Sequence, residues 1–451
     1  MQGGIILKRA IVLSGGGSKG AYEAGFLKAA KELNQSFDIV TGTSIGALNG
    51  ALVAMDDYQG LEDTWNILDL EHVFNNPPDL TDLKDDFMTV SLFNNVDQDT
   101  NLLDLKDSIL EQTSLAHSFL KYYVKNKGAD NTPFVSICRN LLKEDRLIES
   151  PIDFGLCTVH FPTMKPLYIT KKEMNKEHIL DYLLASSACF PVFPMIEIEN
   201  NKYVDGGFYD NLPIDLALDM GADEIVVVDM HYDPTHPQYI NRPHIIYSCP
   251  PVDLGGFMDF SKEALERNKR VGYLTAYKLF GSYEGHRFTF IKEENEVFDH
   301  FYKQVLFMEK EMRGSFNSNA TDLTNILMEN NHQCLLKLKD YTYITLDYIG
   351  ELLEFDDLKV YSFAEFKDMI LKAFEQYMDE AYFPQEIRFT KENISFLQDH
   401  LNRKSIVGYF LHKMMYKETM DMKAYYGFCM KELMMASLIY ILVGGDHNEL
   451  D

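Results

Sequence analysis

Three short segments carry the residue types that acyl transfer needs. The first is Gly42-Thr43-Ser44-Ile45-Gly46, a serine held between glycines. It follows a β-type run and precedes a helix of small residues, so a sharp strand-to-helix turn would lift the Ser44 hydroxyl above a sheet. Ser44 would then stand at a helix N-terminus, where N–H groups and the helix dipole favour a developing anion. The second segment is Gly15-Gly16-Gly17-Ser18-Lys19-Gly20. Its successive glycines leave backbone N–H groups bare, and beside Ser44 the N–H groups of Gly15, Gly16 and Gly17 would form an oxyanion hole, each donor worth roughly 10²–10³ in rate. The third is Asp205-Gly206-Gly207, at a tight turn after the short run Asn201–Val204. A serine hydroxyl is a weak nucleophile until a base takes its proton, and Asp205 is the candidate. Taken alone, Asp-Gly-Gly is also ordinary turn composition.

Other chemistries compete for the same residues. Gly15, Gly17 and Gly20 satisfy the dinucleotide pattern GxGxxG. That pattern wants an acid at the end of the second strand to hold a ribose, and here the nearest acid, Asp38, stands at the strand's start. A phosphate-cradling Walker loop fails because Gly20, not Ser or Thr, follows Lys19. The cluster Asp229-Met230-His231-Tyr232-Asp233-Pro234-Thr235-His236 admits three readings: polar loop residues, members of a histidine triad, or metal ligands. The first is the plainest.

The elements that would position these residues alternate. Ala10–Ser14 reads as a buried strand, Lys19–Leu33 as a helix, Phe37–Thr43 as a second strand and Ile45–Met55 as a second helix. Later strands are expected at Phe154–His160, Pro166–Thr170, Ile225–Met230 and His244–Ser248. Alternating strands and helices imply a mainly parallel sheet covered on both faces, and IVVVDM at 225–230 has the continuous apolar run of a central strand. A helix over Ser261–Leu279 closes this part. From about Ser282 to Asp451 the periodicity is helical, as in Asn295–Arg313, Ser362–Tyr377 and Met420–Val443. The expected division is therefore 1–281 for a catalytic α/β domain and 282–451 for an all-helical domain of unknown role, with the boundary in Gly281–Gly285.

At this point the chain resembles a family. GGGSKG, GTSIG and DGG, in that order, are similar to the motifs of the patatin-like phospholipases, which use a Ser–Asp dyad without a histidine. Ala185-Ser186-Ser187-Ala188-Cys189-Phe190-Pro191 resembles that family's ASxAxP segment, and Asp210-Asn211-Leu212-Pro213 also fits its pattern after DGG. The resemblance spans about residues 6–280. It implies a three-layer α/β/α fold, Ser44 as nucleophile, Asp205 as base, the loop glycines as oxyanion donors, and hydrolysis of lipid carboxylic esters at a membrane or micelle surface. No metal or organic cofactor is implied. Two departures stand out: Ser14 replaces a common Asp, and Lys19 replaces a common Arg. Lys19 keeps the positive charge but loses the bidentate fork, so an anion-orienting role competes with a structural ion pair. The rivals to an acyl hydrolase are a nucleotide-binding protein and a lipid-binding pseudoenzyme.

Composition sets the limits around this reading. The 451 residues carry a net charge of −27, which excludes a nucleic-acid backbone binder and argues against general attraction to anionic membranes. Residues 56–107 hold fourteen acids and only two bases, Lys84 and Lys106, whereas 1–50 are net positive by two. This acidic excursion reads as a solvated helix-and-loop insertion or as a lid over the site. No secretory signal or run long enough to span a membrane is visible, and six scattered cysteines without a CxxC pair fit a reducing compartment. A cytoplasmic location is the expectation, with an oligomer or protein activator left open. Seven methionines between Met414 and Met435 suit core packing or, alternatively, contact with acyl chains or a partner.

Overall fold

In the computed structural model, the described residues are 7–75, 128–293, 303, 338–375, 377, 402–416 and 429–444. The chain divides into two compact units, Met1–Phe280 and Gly281–Asp451.

The first unit is built on an eight-stranded sheet. Strands β1 (Arg9–Leu13) and β2 (Ile39–Thr43) pair in parallel at its centre, and every residue of both except Arg9 is buried. Between them run a short 3-10 turn (Gly17–Lys19) and helix α1 (Gly20–Glu32). Helix α2 (Ile45–Ala54) follows β2 directly; α3 (Tyr58–Ile67) and α4 (Leu70–Val73) come next. Asp57 and Asp69, two acids of the 56–107 excursion, N-cap α3 and α4, their side chains accepting from Gly60 N and His72 N. Residues 76–107 of that excursion lie outside the described residues. Helices α5 (Thr132–Leu141) and α6 (Glu144–Glu149) lead into β3 (Asp153–Phe161) and β4 (Lys165–Thr170). Then come α7 (Ile179–Ser186), β5 (Ile196–Ile198), β6 (Asn201–Asp205), α8 (Ile214–Asp219), β7 (Glu224–Val228), β8 (Ile245–Ser248) and α9 (Lys262–Leu279).

The strand order is β5-β6-β3-β2-β1-β7-β8, with β4 also paired to β3. The β3-β2-β1-β7-β8 portion is parallel, as the alternating pattern predicts. β4, β5 and β6 pair antiparallel, the short connection between β3 and β4 being a hairpin that cannot reverse back to parallel.

One consequence of this register positions the site. Gly155–His160 of β3 pair with β4 along one edge. β2 pairs with β3 up to Thr43↔Cys157, and β6 pairs from Asp205↔Thr158 onward, so both occupy the opposite edge. Their C-terminal ends therefore meet head to head on β3, with Thr43 and Asp205 opposite consecutive residues.

A buried polar network holds the α1–α2 layer to α3. Asn49 Nδ2 donates to Glu23 Oε2 at 2.9 Å and to Gly20 O at 3.2 Å, while Trp65 Nε1 donates to Asn49 Oδ1 at 3.0 Å. Full burial holds the Glu23 carboxyl well above the usual range, the bond from Asn49 opposing this only in part.

The second unit is mainly helical, with α10 (Leu338–Leu352), α11 (Phe363–Glu375), α12 (Arg403–Met415) and α13 (Met430–Leu442). Where the sequence reading expects helices alone, three strands of two or three residues, β9 (Tyr283–Glu284), β10 (Thr289–Ile291) and β11 (Val360–Tyr361), form a small sheet. Strands that short carry no readable alternation. Its core includes Phe288, Phe290, Phe366, Phe374 and Phe410 together with Met414, Met434 and Met435. Those three methionines are core residues, Met415 is exposed, and Met420 and Met422 lie outside the described residues. The helix expected at Asn295–Arg313 also lies outside them, apart from residue 303.

Candidate active site

Ser44 is the residue between β2 and α2, and its backbone is at φ 55°, ψ −127°. A β-carbon in that left-handed region is strained, and the surrounding contacts explain how it persists. A side chain at Gly42 would come within 2.5 Å of Gly46 O, and one at Gly46 within 2.5 Å of Ser14 O. The elbow closes only because both positions lack a Cβ. Ser44 N donates to Ser186 Oγ at 3.0 Å, and Ser186 Oγ donates to Cys157 O at 2.7 Å, so the segment 185–191 anchors the elbow to β3.

The meeting of β2 and β6 brings the two acyl-transfer candidates into contact. Ser44 Oγ donates to Asp205 Oδ2 at 2.7 Å. Asp205 Oδ1 accepts Gly207 N at 2.8 Å, which orients the carboxylate, and Asp205 N donates to Ala188 O at 3.0 Å, which holds its backbone. Asp205 is 5% exposed. Burial pushes its carboxyl up to about 7; the hydrogen bonds from Ser44 and Gly207 pull the other way and only partly offset this. A carboxylate with that affinity for a proton is matched to taking one from a hydroxyl near neutral pH.

The glycine loop lies against the nucleophile: a methyl at Gly15 would fall 2.9 Å from Ser44 Cβ. The three expected oxyanion donors are not equivalent. Gly15 N donates to Asn211 O at 3.1 Å, so its N–H is already used, which corrects the expectation for that residue. The N–H groups of Gly16 and Gly17 take no backbone acceptor among the described residues. Asn211 was not singled out by sequence as a clamp, yet its Nδ2 also donates to Gly15 O at 3.1 Å and fixes the loop from both peptide faces. The signal was its place in Asp210-Asn211-Leu212-Pro213. Asp210 O and Pro213 O accept Thr43 Oγ1 and Thr41 Oγ1, fastening this segment onto β2.

Ser44 opens into a cavity of about 1170 Å³, its open mouth included. Ile45, Leu68, Val73, Phe134 and Phe193 give it an apolar wall; Gly15, Gly16, Gly17, Lys19, Asp205, Asn211 and His231 line it as well. Lys19 is buried, at the end of the 3-10 turn. A second cavity of about 560 Å³, its open mouth included, shares Ile45, Leu68 and Phe134 with the first. It follows Ile45, Leu48, Leu52 and Met55, one stripe of the nucleophile helix, over about 15 Å.

The bond from Ser44 Oγ goes to Asp205 and not to either histidine of the alternative readings. His231 Nδ1 pairs with Asp229 Oδ1 at 2.9 Å, not with the dyad, and His236 Nε2 lies 3.9 Å from Asp210 Oδ1. Among the described residues no group of three or more His, Cys, Asp or Glu side chains is arranged to hold a metal ion. No helix among them is long and apolar enough to cross a membrane.

Residues 11–218 match the family described as patatin-like phospholipase. It is 25% identical over 220 residues to lysophospholipase nte1 of Aspergillus terreus, covering 49% of this chain and 12% of that protein. It is 26% identical over 226 residues to patatin-like phospholipase domain-containing protein 7 of Rattus norvegicus, covering 49% and 13%. The chain thus spans about an eighth of the length of these curated relatives. Among solved structures, VipD from Legionella pneumophila aligns over 98% of this chain and 91% of its own, at 15% identity and a TM-score of 0.33.

The raised pKa of Asp205 sets the sign of a stability test. The folded protein holds this proton more tightly than the unfolded chain, so the group favours folding below about pH 4 and that contribution is lost as pH rises to about 7. Asp205→Asn removes the buried charge. Its stability relative to wild type is expected to rise between pH 4 and 7, by an amount on the order of 4 kcal/mol at most, and then to level off. Urea unfolding at pH 4, 5.5 and 7.5 checks this; a constant difference across the three would refute it.

Proposed function

We propose that this protein is a serine acyl hydrolase that cleaves carboxylic esters of lipids, of phospholipase A or lysophospholipase type. The observation that carries this reading is the 2.7 Å hydrogen bond from Ser44 Oγ to a buried Asp205, at the floor of a mainly apolar cavity. The match of residues 11–218 to the patatin-like phospholipase family supports it.

The chemistry follows from the geometry. Ser44 Oγ attacks the ester carbonyl as its proton passes to Asp205 Oδ2. Negative charge builds on the carbonyl oxygen, where Gly16 N–H, Gly17 N–H and the N-terminus of α2 can receive it. Collapse expels the alcohol, which takes the proton back from Asp205 and leaves an acyl ester on Ser44. Water then enters, gives its proton to Asp205 and attacks the acyl carbon. Fatty acid leaves and Ser44 recovers its proton. One buried carboxylate therefore serves both half-reactions without a histidine.

The acyl chain has an apolar course available. From Ser44 it passes Ile45 and enters the second cavity along Leu48, Leu52 and Met55. The substrate comes from a membrane or micelle surface, and the same proposal places the protein in the cytoplasm.

Ser44→Ala and Asp205→Asn are each expected to lower kcat/KM on a micellar lipid ester at least 10³-fold while the fold survives. In the wild type, kcat/KM should fall as pH drops through about 7, because the base is then protonated. Activity retained in either variant would remove the dyad. Leu48→Trp, which fills the second cavity, should lower kcat/KM for a sixteen-carbon ester about tenfold relative to a four-carbon ester. An equal effect on both chain lengths would place the acyl chain elsewhere.

A further inference from the structure

The Asp229–His231 pair is left unused by the dyad, yet it is built with unusual completeness. Asp229, just past the C-terminal end of β7, is 0% exposed. Its Oδ1 accepts His231 N at 3.0 Å and His231 Nδ1 at 2.9 Å. Its Oδ2 accepts Thr235 N at 2.9 Å, Thr235 Oγ1 at 2.7 Å and Tyr247 OH at 2.7 Å. Five donors saturate the carboxylate, so it has no lone pair to offer a metal. Burial alone would push its carboxyl up, but the bonds from His231 and its other donors more than reverse this and keep it ionised.

The backbone donors at His231 and Thr235 would suffice to cap this turn. The imidazole adds something a turn does not need: a ring on the wall of the Ser44 cavity, fixed through Nδ1 and leaving Nε2 for a ligand. Its side chain is 32% exposed while its anchor is fully buried. The end of β7 is also tied to the glycine loop. Ser14 N donates to Val228 O at 3.3 Å and Met230 N donates to Ser14 Oγ at 3.0 Å. A methyl at Gly16 would fall 2.9 Å from Met230 Cε and 3.5 Å from Lys19 Cβ. Lys19 and the residue preceding His231 therefore converge on one oxyanion donor.

That arrangement divides the substrate. The acyl half has its apolar course along α2, so the alcohol half is left to the side of the cavity formed by the glycine loop, Lys19 and the end of β7. We propose that His231 is a head-group contact: held by Asp229 through Nδ1–H, its imidazolium form donates Nε2–H to the phosphodiester oxygens of the alcohol half, beside Lys19. The preferred substrate is then a phosphate-bearing lipid ester over a neutral acylglycerol. This rests on the reading of Ser44 and Asp205 given above. An imidazolium N–H, its other nitrogen paired with a carboxylate, makes a strong, directed bond to a phosphate oxygen.

Two substitutions separate this role from a structural one. His231→Asn keeps a donor near the Nδ1 position for Asp229 but has nothing at Nε2; His231→Gln reaches the Nε2 position and serves Asp229 poorly. With the full chain, kcat and KM are measured on lysophosphatidylcholine and on a monoacylglycerol with the same acyl chain, in mixed micelles. The ratio of kcat/KM for the phosphate-bearing over the neutral ester is expected to fall about tenfold in His231→Asn, through KM, and less in His231→Gln. Equal losses on both esters, or a larger loss in Gln than in Asn, would overturn the head-group assignment and leave Ser44 and Asp205 standing. Competition by glycerophosphocholine but not by equimolar inorganic phosphate supports a head-group site. Equal competition by the two would make it a free-anion site and overturn the assignment. A wild type that hydrolyses neither ester sinks both readings.

Discussion

The site depends on two strands sharing one edge of a third. β2 ends at Thr43 opposite Cys157, and β6 ends at Asp205 opposite Thr158. Because the hairpin strand β4 takes the other edge of β3, the ends of β2 and β6 must meet. Residues 161 apart in sequence are thereby held at 2.7 Å by backbone ladders, not by flexible loops. The remaining contacts refine that meeting. Ser186 holds the Ser44 backbone, Ala188 holds the Asp205 backbone, and Asn211 holds Gly15. Each comes from a segment that a sequence pattern can flag but cannot place.

Burial makes the meeting chemically useful. Asp205 in water would be too weak a base to draw a proton from a hydroxyl, and desolvation raises it to about 7. The cost is a charge held in an apolar setting, which destabilises the protein near neutral pH. Elsewhere the same layer avoids that cost. Glu23 is equally buried, and its carboxyl, bonded by Asn49, is held well above the usual range. Asp229 is kept ionised by five donors. These three buried carboxyls have three different environments, and among them Asp205 is the one that accepts a bond from Ser44 Oγ.

Legibility in the sequence followed the range of the interactions. The parallel core was readable, since Ala10–Leu13, Ile39–Thr43 and Ile225–Val228 are short apolar runs between helical stretches. Ser44 was readable because a nucleophile elbow is local: five consecutive residues set its turn. The pairing of Asp205 was suggested by motif order, but its distance comes from strand register across β3, which no local pattern encodes. The loss of Gly15 as an oxyanion donor depends on a partner 196 positions away. The roles of Asn49 and of the Asp229–His231 pair are set by burial and tertiary hydrogen bonds, and in sequence they look like ordinary polar residues. The net charge of −27 proved a poor guide to the site, whose lining residues include Lys19 and His231.

The central claim is that Ser44 is a nucleophile activated by a single buried carboxylate. The rate of fluorophosphonate adduct formation, followed by peptide mass spectrometry at several pH values, tests it most directly. The adduct should fall on Ser44, form faster as pH rises through about 7, and be nearly lost in Asp205→Asn. An adduct on another residue, or an undiminished rate at Ser44 in Asp205→Asn, would contradict it.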